Sequence, residues 1–311
     1  MIPIEEPSPK GGINGVTKDE CSGIYLILCK ILKLKKVRYQ EFLTEVLKNS
    51  CSPAEFQWIQ EKLSVNMRAK KLGFVMTPRF IPNRPIEKTK LDVSGADYSI
   101  DLSEWTLDQL ARSVLLLSMD EGNPEEFRNT IELLFQTAEN REAAAIYKTI
   151  PLFNDPELWV HRATEAIRTN IGTIFDAMAF NNPFPALHFD DIAWNQLVLK
   201  TIFGDKSIWK IIGLKERRNS ELARAISDFA HERWAARRTL PAEVWFLAEP
   251  YPTVQMWKDA DTLLLSEDPS NRSAGFLLWK SNQDSAPDGF EAQHQKTLKK
   301  TAQKTSGWNN L

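Results

Sequence analysis

Asn219-Ser220-Glu221-Leu222-Ala223-Arg224-Ala225-Ile226-Ser227-Asp228-Phe229-Ala230-His231-Glu232-Arg233-Trp234-Ala235-Ala236-Arg237-Arg238 sets the reading of this chain. Leu222, Ile226 and Phe229 recur at three- and four-residue spacing, the period of one buried helix face. The spacing predicts a helix over 219–238 that stops before Leu240-Pro241. The same period predicts helices at 104–118, 123–137, 140–150, 155–180 and 190–203 upstream, and at 254–265 and 271–280 downstream. Nearer the start, 22–34, 38–48 and 53–66 carry it too. Ser52-Pro53, Asn123-Pro124 and Asp155-Pro156 each set a capping side chain before a proline, which opens a helix cleanly. Short links between many such segments predict an all-α fold, either a multi-helix antiparallel bundle or a stacked helical-pair array. Residues 72–103, with Pro78, Pro82 and Pro85 and no sustained period, read as an extended connector with room for a short strand.

Four parts follow from the changes in composition. Residues 1–18, rich in Pro, Gly and charge, are expected to be a disordered arm, and 19–250 a helical domain. Residues 251–283 read as a helical extension, and 284–311, with Lys296, Lys299, Lys300 and Lys304, as a polar and basic tail. A net charge of −2 and a pI near 6.2 give no global electrostatic case for nucleic acid or an anionic membrane. No run of eighteen apolar residues suggests a spanning helix. The start, from Met1 to Lys10, lacks the pattern of a secretory signal. Cys21, Cys29 and Cys51 form no C-x-x-C pair and no zinc spacing. A reducing, cytoplasmic setting is the expectation.

P-loop, nucleophile-elbow, H-E-x-x-H and dinucleotide fingerprints are all missing, so the candidates are polar groups lodged in core-like helices. On 219–238 the apolar stripe leads straight to Glu232 and Arg233, with His231 and Asp228 a step round. A buried ion pair explains this blandly; a pocket lined by carboxylate and guanidinium explains it functionally. Asp190 and Asp191 open the next key helix, where capping and the helix dipole suffice. Their resemblance to an acidic D-D-x-x-D magnesium motif fails at Trp194. Asn195, Gln196 and Lys200 share that helix with so many apolar residues that some must face protein. Asn170 continues the 159–163–166 stripe and calls for internal partners, whereas Arg168 lies off it. The surrounding aromatics, Phe175, Phe180, Phe184, Phe189, Trp209 and Trp245 among them, suit a core or an apolar pocket wall.

With these residues in view, the chain resembles the EboA family. The resemblance is carried by Trp105-Thr106-Leu107-Asp108-Gln109-Leu110-Ala111-Arg112, Arg168-Thr169-Asn170, Asn182-Pro183-Phe184-Pro185 and Phe189-Asp190. Ala193-Trp194-Asn195-Gln196, Leu199-Lys200, Gly213-Leu214, Arg217, Asn219, Glu221-Leu222-Ala223-Arg224 and Ala230 through Arg237 extend it. It is strongest over residues 100–250, looser before them, and does not reach the last 60. The resemblance implies a place in bacterial specialised-metabolite biosynthesis, beside a prenyltransferase-like membrane enzyme and barrel enzymes, and implies no particular reaction.

Three functional expectations follow. The leading one is a cofactor-independent cyclase, isomerase or lyase acting on an apolar or aromatic small molecule in a helical pocket. Asp190, Asp191, His231 and Glu232 would supply acid–base groups there, and Arg168, Asn170, Trp194, Asn195, Gln196, Lys200 and Arg233 would bind substrate. A helical scaffold or carrier for a biosynthetic intermediate is the second. A metal-dependent terpene-type cyclase is the third, although a second metal motif is missing and no metal ligand is assigned. The expected partners are a small molecule and, as a candidate, a second copy of the chain, with neither nucleic acid nor stable membrane insertion.

Overall fold

The computed structural model describes residues 38–311 apart from 94 and 95. The expected arm at 1–18, the helix at 22–34, Cys21 and Cys29 lie outside the described residues. The described chain is all-α with one two-stranded hairpin. Helix α1 occupies residues 38–50. It is followed by α2 (Pro53–Leu63), α3 (Met67–Phe80), α4 (Leu107–Ser118), α5 (Pro124–Thr137), α6 (Asn140–Thr149), α7 (Val160–Arg168) and α8 (Gly172–Ala179). Then come α9 (Phe184–His188), α10 (Asp191–Phe203), α11 (Ser220–Ala235), α12 (Val254–Leu265), α13 (Pro269–Ser281) and α14 (Phe290–Ala302). Most helices pack on near neighbours in sequence: α2 on α3, α3 on α4, α4 on α6, α6 on α8, α12 on α13, α13 on α14.

Capping fixes most boundaries. Ser52 and Glu55 form a reciprocal capping box at the start of α2, and the Asn123 side chain accepts from the backbone of Glu125 and Glu126 at the start of α5. Asn219 accepts from the Leu222 N–H at 2.8 Å to open α11.

Three expectations need correction. Residues 72–80 are not connector but the second half of α3, because Asn66 caps a new helix and Pro78 falls in its last turn. Pro78 has no N–H for the Phe74 carbonyl, and the buried Arg112 guanidinium supplies it instead, Nε donating at 3.1 Å. The single helix expected at 155–180 breaks at Thr169–Ile171 into α7 and α8, so the helical phase never reaches Asn170. The 284–311 stretch is not simply a solvated tail. Phe290, His294, Leu298 and Thr301 lie at helical spacing and bury one face of α14, while Lys296, Lys299 and Lys300 stay exposed on the other.

The remaining connector holds the hairpin, β1 (Lys90–Asp92) antiparallel to β2 (Ser99–Asp101), with Leu91 opposite Ile100 and both buried. Asn181 fastens it to the body. Its side-chain amide donates to the Asp101 carbonyl at 2.7 Å and accepts from the Asp101 N–H at 2.9 Å. Asn181 sits at φ 49°, a left-handed conformation that asparagine tolerates best after glycine. Gly213, at φ 79°, is required more strictly, since an added Cβ would lie 2.5 Å from that of Ala186.

Candidate functional site

The residues singled out from the sequence do not share one cavity. Asp190 caps α10, accepting from the Ala193 N–H at 2.8 Å, and is exposed. Asp191, also exposed, pairs with Arg217 at 2.8 Å. Arg217 donates further to the carbonyls of Pro185, Ala186 and Phe189, and its guanidinium lies 5.0 Å from the ring centre of the buried Trp194. This cation welds α9 to the start of α10. Asn195 and Asn219 exchange amide hydrogen bonds at 3.2 and 2.8 Å, locking mid-α10 to the cap of α11. Lys200 donates to the carbonyls of Ile167 and Thr169, covering the open C-terminus of α7 where the chain breaks. Gln196, Arg168 and Asn170 are exposed. The internal partners expected for Asn170 are not needed, because the break turns it out to solvent.

At the other end of α11, His231 Nε2 lies 2.7 Å from Asp259 Oδ1, and Ser227 donates to the second oxygen of the same carboxylate. Gln255 donates to Asp259 at 3.0 Å. Asp259 is 1% exposed and belongs to α12, so this network is a brace between helices. The serine bonds the carboxylate and not the imidazole, which is the wrong connectivity for a nucleophilic triad. Glu232 is exposed, and Arg233 donates to the Thr239 carbonyl at 3.0 and 3.2 Å and lies 5.7 Å from the centre of the Phe229 ring. His231 follows Asn219 by twelve residues, about 18 Å of helix at 1.5 Å per residue. The acidic start of α10 therefore stands well away from the imidazole. Asp259→Ala strands the Ser227 hydroxyl and should cost about 2–3 kcal/mol in chemical denaturation, whereas Glu232→Gln should stay within about 0.5 kcal/mol. Among the described residues, no three His, Cys, Asp or Glu side chains converge as metal ligands, at Asp190-Asp191 or elsewhere.

A different place brings chemistry together. A cleft of about 430 Å³ opens between the start of α4 and one face each of α6 and α8. Thr106, Asp108, Gln109, Arg141, Lys148 and Asp176 are among its lining residues. A second depression of about 320 Å³, with Lys90, Asp101, Trp209 and Ile212, shares Glu104, Phe180, Asn181 and Lys210 with the first. The two adjoin. The first carries Lys148, both present the ring of Phe180, and the second adds that of Trp209 among Lys90, Asp101, Glu104 and Lys210.

Lys148 comes from the last turn of α6. Its ammonium donates to the Glu104 carbonyl at 2.8 Å and to Gln109 Oε1 at 3.0 Å, and lies 5.8 Å from the centre of the Trp105 ring. Gln109 is fixed by a second task, accepting the Thr106 N–H at 3.2 Å in the capping box of α4. Burial drives the Lys148 pKa down to about 8, against the opposing pull of Glu104, Asp108 and Asp176. Two of those carboxylates have closer partners: Asp108 accepts from Thr106 at 2.6 Å and faces Arg112, and Asp176 pairs with Lys206.

Behind the cleft, Arg112 is fully buried with Asp108 Oδ2 at 3.4 Å and Glu142 Oε1 at 3.7 Å. Burial pushes the Glu142 pKa up in spite of the guanidinium, and lowers that of Arg112. Sequence reasoning passed over Lys148 because a lysine in a last helical turn is explained by the dipole alone. The signal that pointed here was the block from Trp105 to Arg112, which supplies one wall of the cleft and the cation behind it.

Fold and cleft together define an all-α protein with an amphipathic surface groove. The model of one protein family, described as metabolite traffic protein EboA, matches residues 39–249. The chain belongs to the EboA family. Searches of curated proteins and of solved structures found no match. Among the described residues, no helix is long and apolar enough to cross a membrane.

Proposed function

We propose that this protein is a carrier that binds a small amphipathic intermediate of specialised metabolism, with a polar head at Lys148 and an apolar or aromatic body over Phe180 and Trp209. The observation that carries this reading is the continuity of the two depressions through Glu104, Phe180, Asn181 and Lys210, which sets the Lys148 ammonium and the rings of Phe180 and Trp209 along one groove. The description of the family, metabolite traffic, supports a binding role. The alternative, acid–base catalysis of a cyclisation, isomerisation or elimination through Asp190, Asp191, His231 and Glu232, finds little support in groups that cap, brace or face solvent in separate places.

Titration with 1-naphthoate, an anionic head on an aromatic body, tests the reading by tryptophan quenching or calorimetry. A single saturable site is expected, weakened about tenfold by Trp209→Ala and about tenfold by Lys148→Met, equivalent to roughly 1.4 kcal/mol each. Binding that is absent, or indifferent to both substitutions, would remove the cleft from consideration.

A further inference from the structure

We infer that the ligand of this groove carries a doubly charged head, a phosphate monoester, held between Arg141 and Lys148 of α6 with Lys210 beside it. The inference rests on the cleft being the binding site and names the class of molecule it takes. Its basis is a balance of charge that does not close. Four cationic side chains, Lys90, Arg141, Lys148 and Lys210, line the two depressions. Carboxylates match them in number but are largely engaged elsewhere. Asp108 faces the buried Arg112 at 3.4 Å, and Asp176 pairs with Lys206, two cations that do not line the groove. Asp101 stands opposite Lys90 across the hairpin, and these two offset each other. Glu104 is then the one described carboxylate of the groove left to answer Arg141, Lys148 and Lys210. Three positive charges against one negative leave a surplus of two.

Among the described residues, Arg141, Lys148 and Lys210 have no carboxylate at ion-pair distance. Lys148 donates to the Glu104 carbonyl and to Gln109 Oε1, neutral oxygens that leave its charge uncompensated. Arg141 and Lys148 stand two turns apart on one face of α6, about 10 Å along its axis. Ala144 lies between them on that face and lines the cleft. Its single methyl leaves a dip in the helix surface where one anion can meet both side chains. Across the cleft, Thr173 and Ala177 keep the facing wall of α8 low as well, and Thr173 adds a hydroxyl donor. Lys210 follows Trp209 in the chain and lines both depressions, so a cation stands where head and aromatic body meet.

A carboxylate head would leave one positive charge unanswered. A phosphate monoester, at about −1.5 to −2 near neutral pH, closes the balance and offers three oxygens to three cations. Arginine meets such oxygens in pairs through its planar fork, and lysine meets them as a point charge. The ester's aryl group then lies along Phe180 and Trp209.

Calorimetric titration of the full chain with 1-naphthyl phosphate, 1-naphthoate and phthalate tests this. The phosphate should bind a single site at least about tenfold more tightly than 1-naphthoate, and phthalate, a dianion on a wider frame, should fall below it. Arg141 and Lys210 are exposed, so Arg141→Met and Lys210→Met leave the fold intact. Each should cut the preference for phosphate to about threefold or less, while 1-naphthoate weakens by no more than about threefold. A preference that survives in both variants overturns the inference, and phthalate binding as tightly as 1-naphthyl phosphate overturns the assignment to phosphate. If 1-naphthoate binds and the phosphate binds no tighter, the doubly charged head falls and the carrier reading stands. If neither binds, both fall.

Discussion

Replacing Arg112 by methionine lowers stability by about 3–5 kcal/mol and the melting temperature by about 10 °C. The side chain is fully buried, and removing its charge leaves the buried Asp108 and Glu142 carboxylates without their cation. The Phe74 carbonyl, already deprived of a helical donor by Pro78, loses its substitute as well. A denaturant midpoint that falls with an unchanged slope is the expected readout. The loss should shrink as pH falls towards about 5. A buried carboxylate left unpaired has a folded-state pKa above its unfolded value, so it takes up protons on folding and gains stability on acidification. Glu142, held up by burial even with Arg112 present, is already on that side. Combining Arg112→Met with Asp108→Asn and Glu142→Gln should recover part of the loss. A change below about 1 kcal/mol in the single variant would mean that water reaches the cluster.

A chain stopped after Glu249 fails to fold cooperatively and aggregates. Glu249 is the last residue matched to the family, which makes this a natural place to cut. Structurally it is a junction. Its carboxylate accepts from Arg218 at 2.8 Å, Ser281 at 2.7 Å and the Trp308 indole at 2.7 Å, and its carbonyl accepts from Asn282 at 2.8 Å. Phe246 lies between the Arg218 guanidinium, 4.2 Å from its ring centre, and Trp308. Met256, Trp257, Leu263, Leu264, Phe276 and Leu278 are buried, and at about 1.5–3 kcal/mol for each such side chain their loss is comparable to the 5–15 kcal/mol of net stability typical of a domain. Circular dichroism and a thermal melt check this. A sharp transition within a few degrees of the full chain would show that residues 39–249 are self-sufficient.

Much of the fold was legible in the sequence. The helix periods and the caps before Pro53 and Pro124 place α2, α5, α10, α12 and α13 to within a few residues. These signals are local, so they survive in the sequence. What failed was phase and termination. Nothing in 155–180 marks Thr169–Ile171 as a break, because the group that makes the break tolerable is Lys200, thirty-odd residues away, whose ammonium takes the freed carbonyls. Pro78 reads as a breaker until Arg112 is seen serving the carbonyl it orphans.

The candidate site was less legible, for a related reason. Asn195, Lys200, His231 and Arg233 stand out in the sequence as polar groups in an apolar pattern, as do Asn170, Gln196 and Glu232, which face solvent, and a partner satisfies a side chain equally well whether it is substrate or protein. Only the fold supplies Asn219, the end of α7, Asp259 and Thr239 as those partners. Lys148 gave no signal because its neighbours along the chain explain it, whereas its depressed pKa comes from burial against Trp105 and the wall of α4.

The sequence by itself determined that the protein is all-α, where several of its helices begin, and which family it resembles, since periodicity, capping and motif are properties of consecutive residues. Tertiary structure alone decided which polar groups are spent as braces and which of them line the cleft. Desolvation and hydrogen-bond satisfaction depend on what surrounds an atom in space, and distant segments of the chain provide those surroundings.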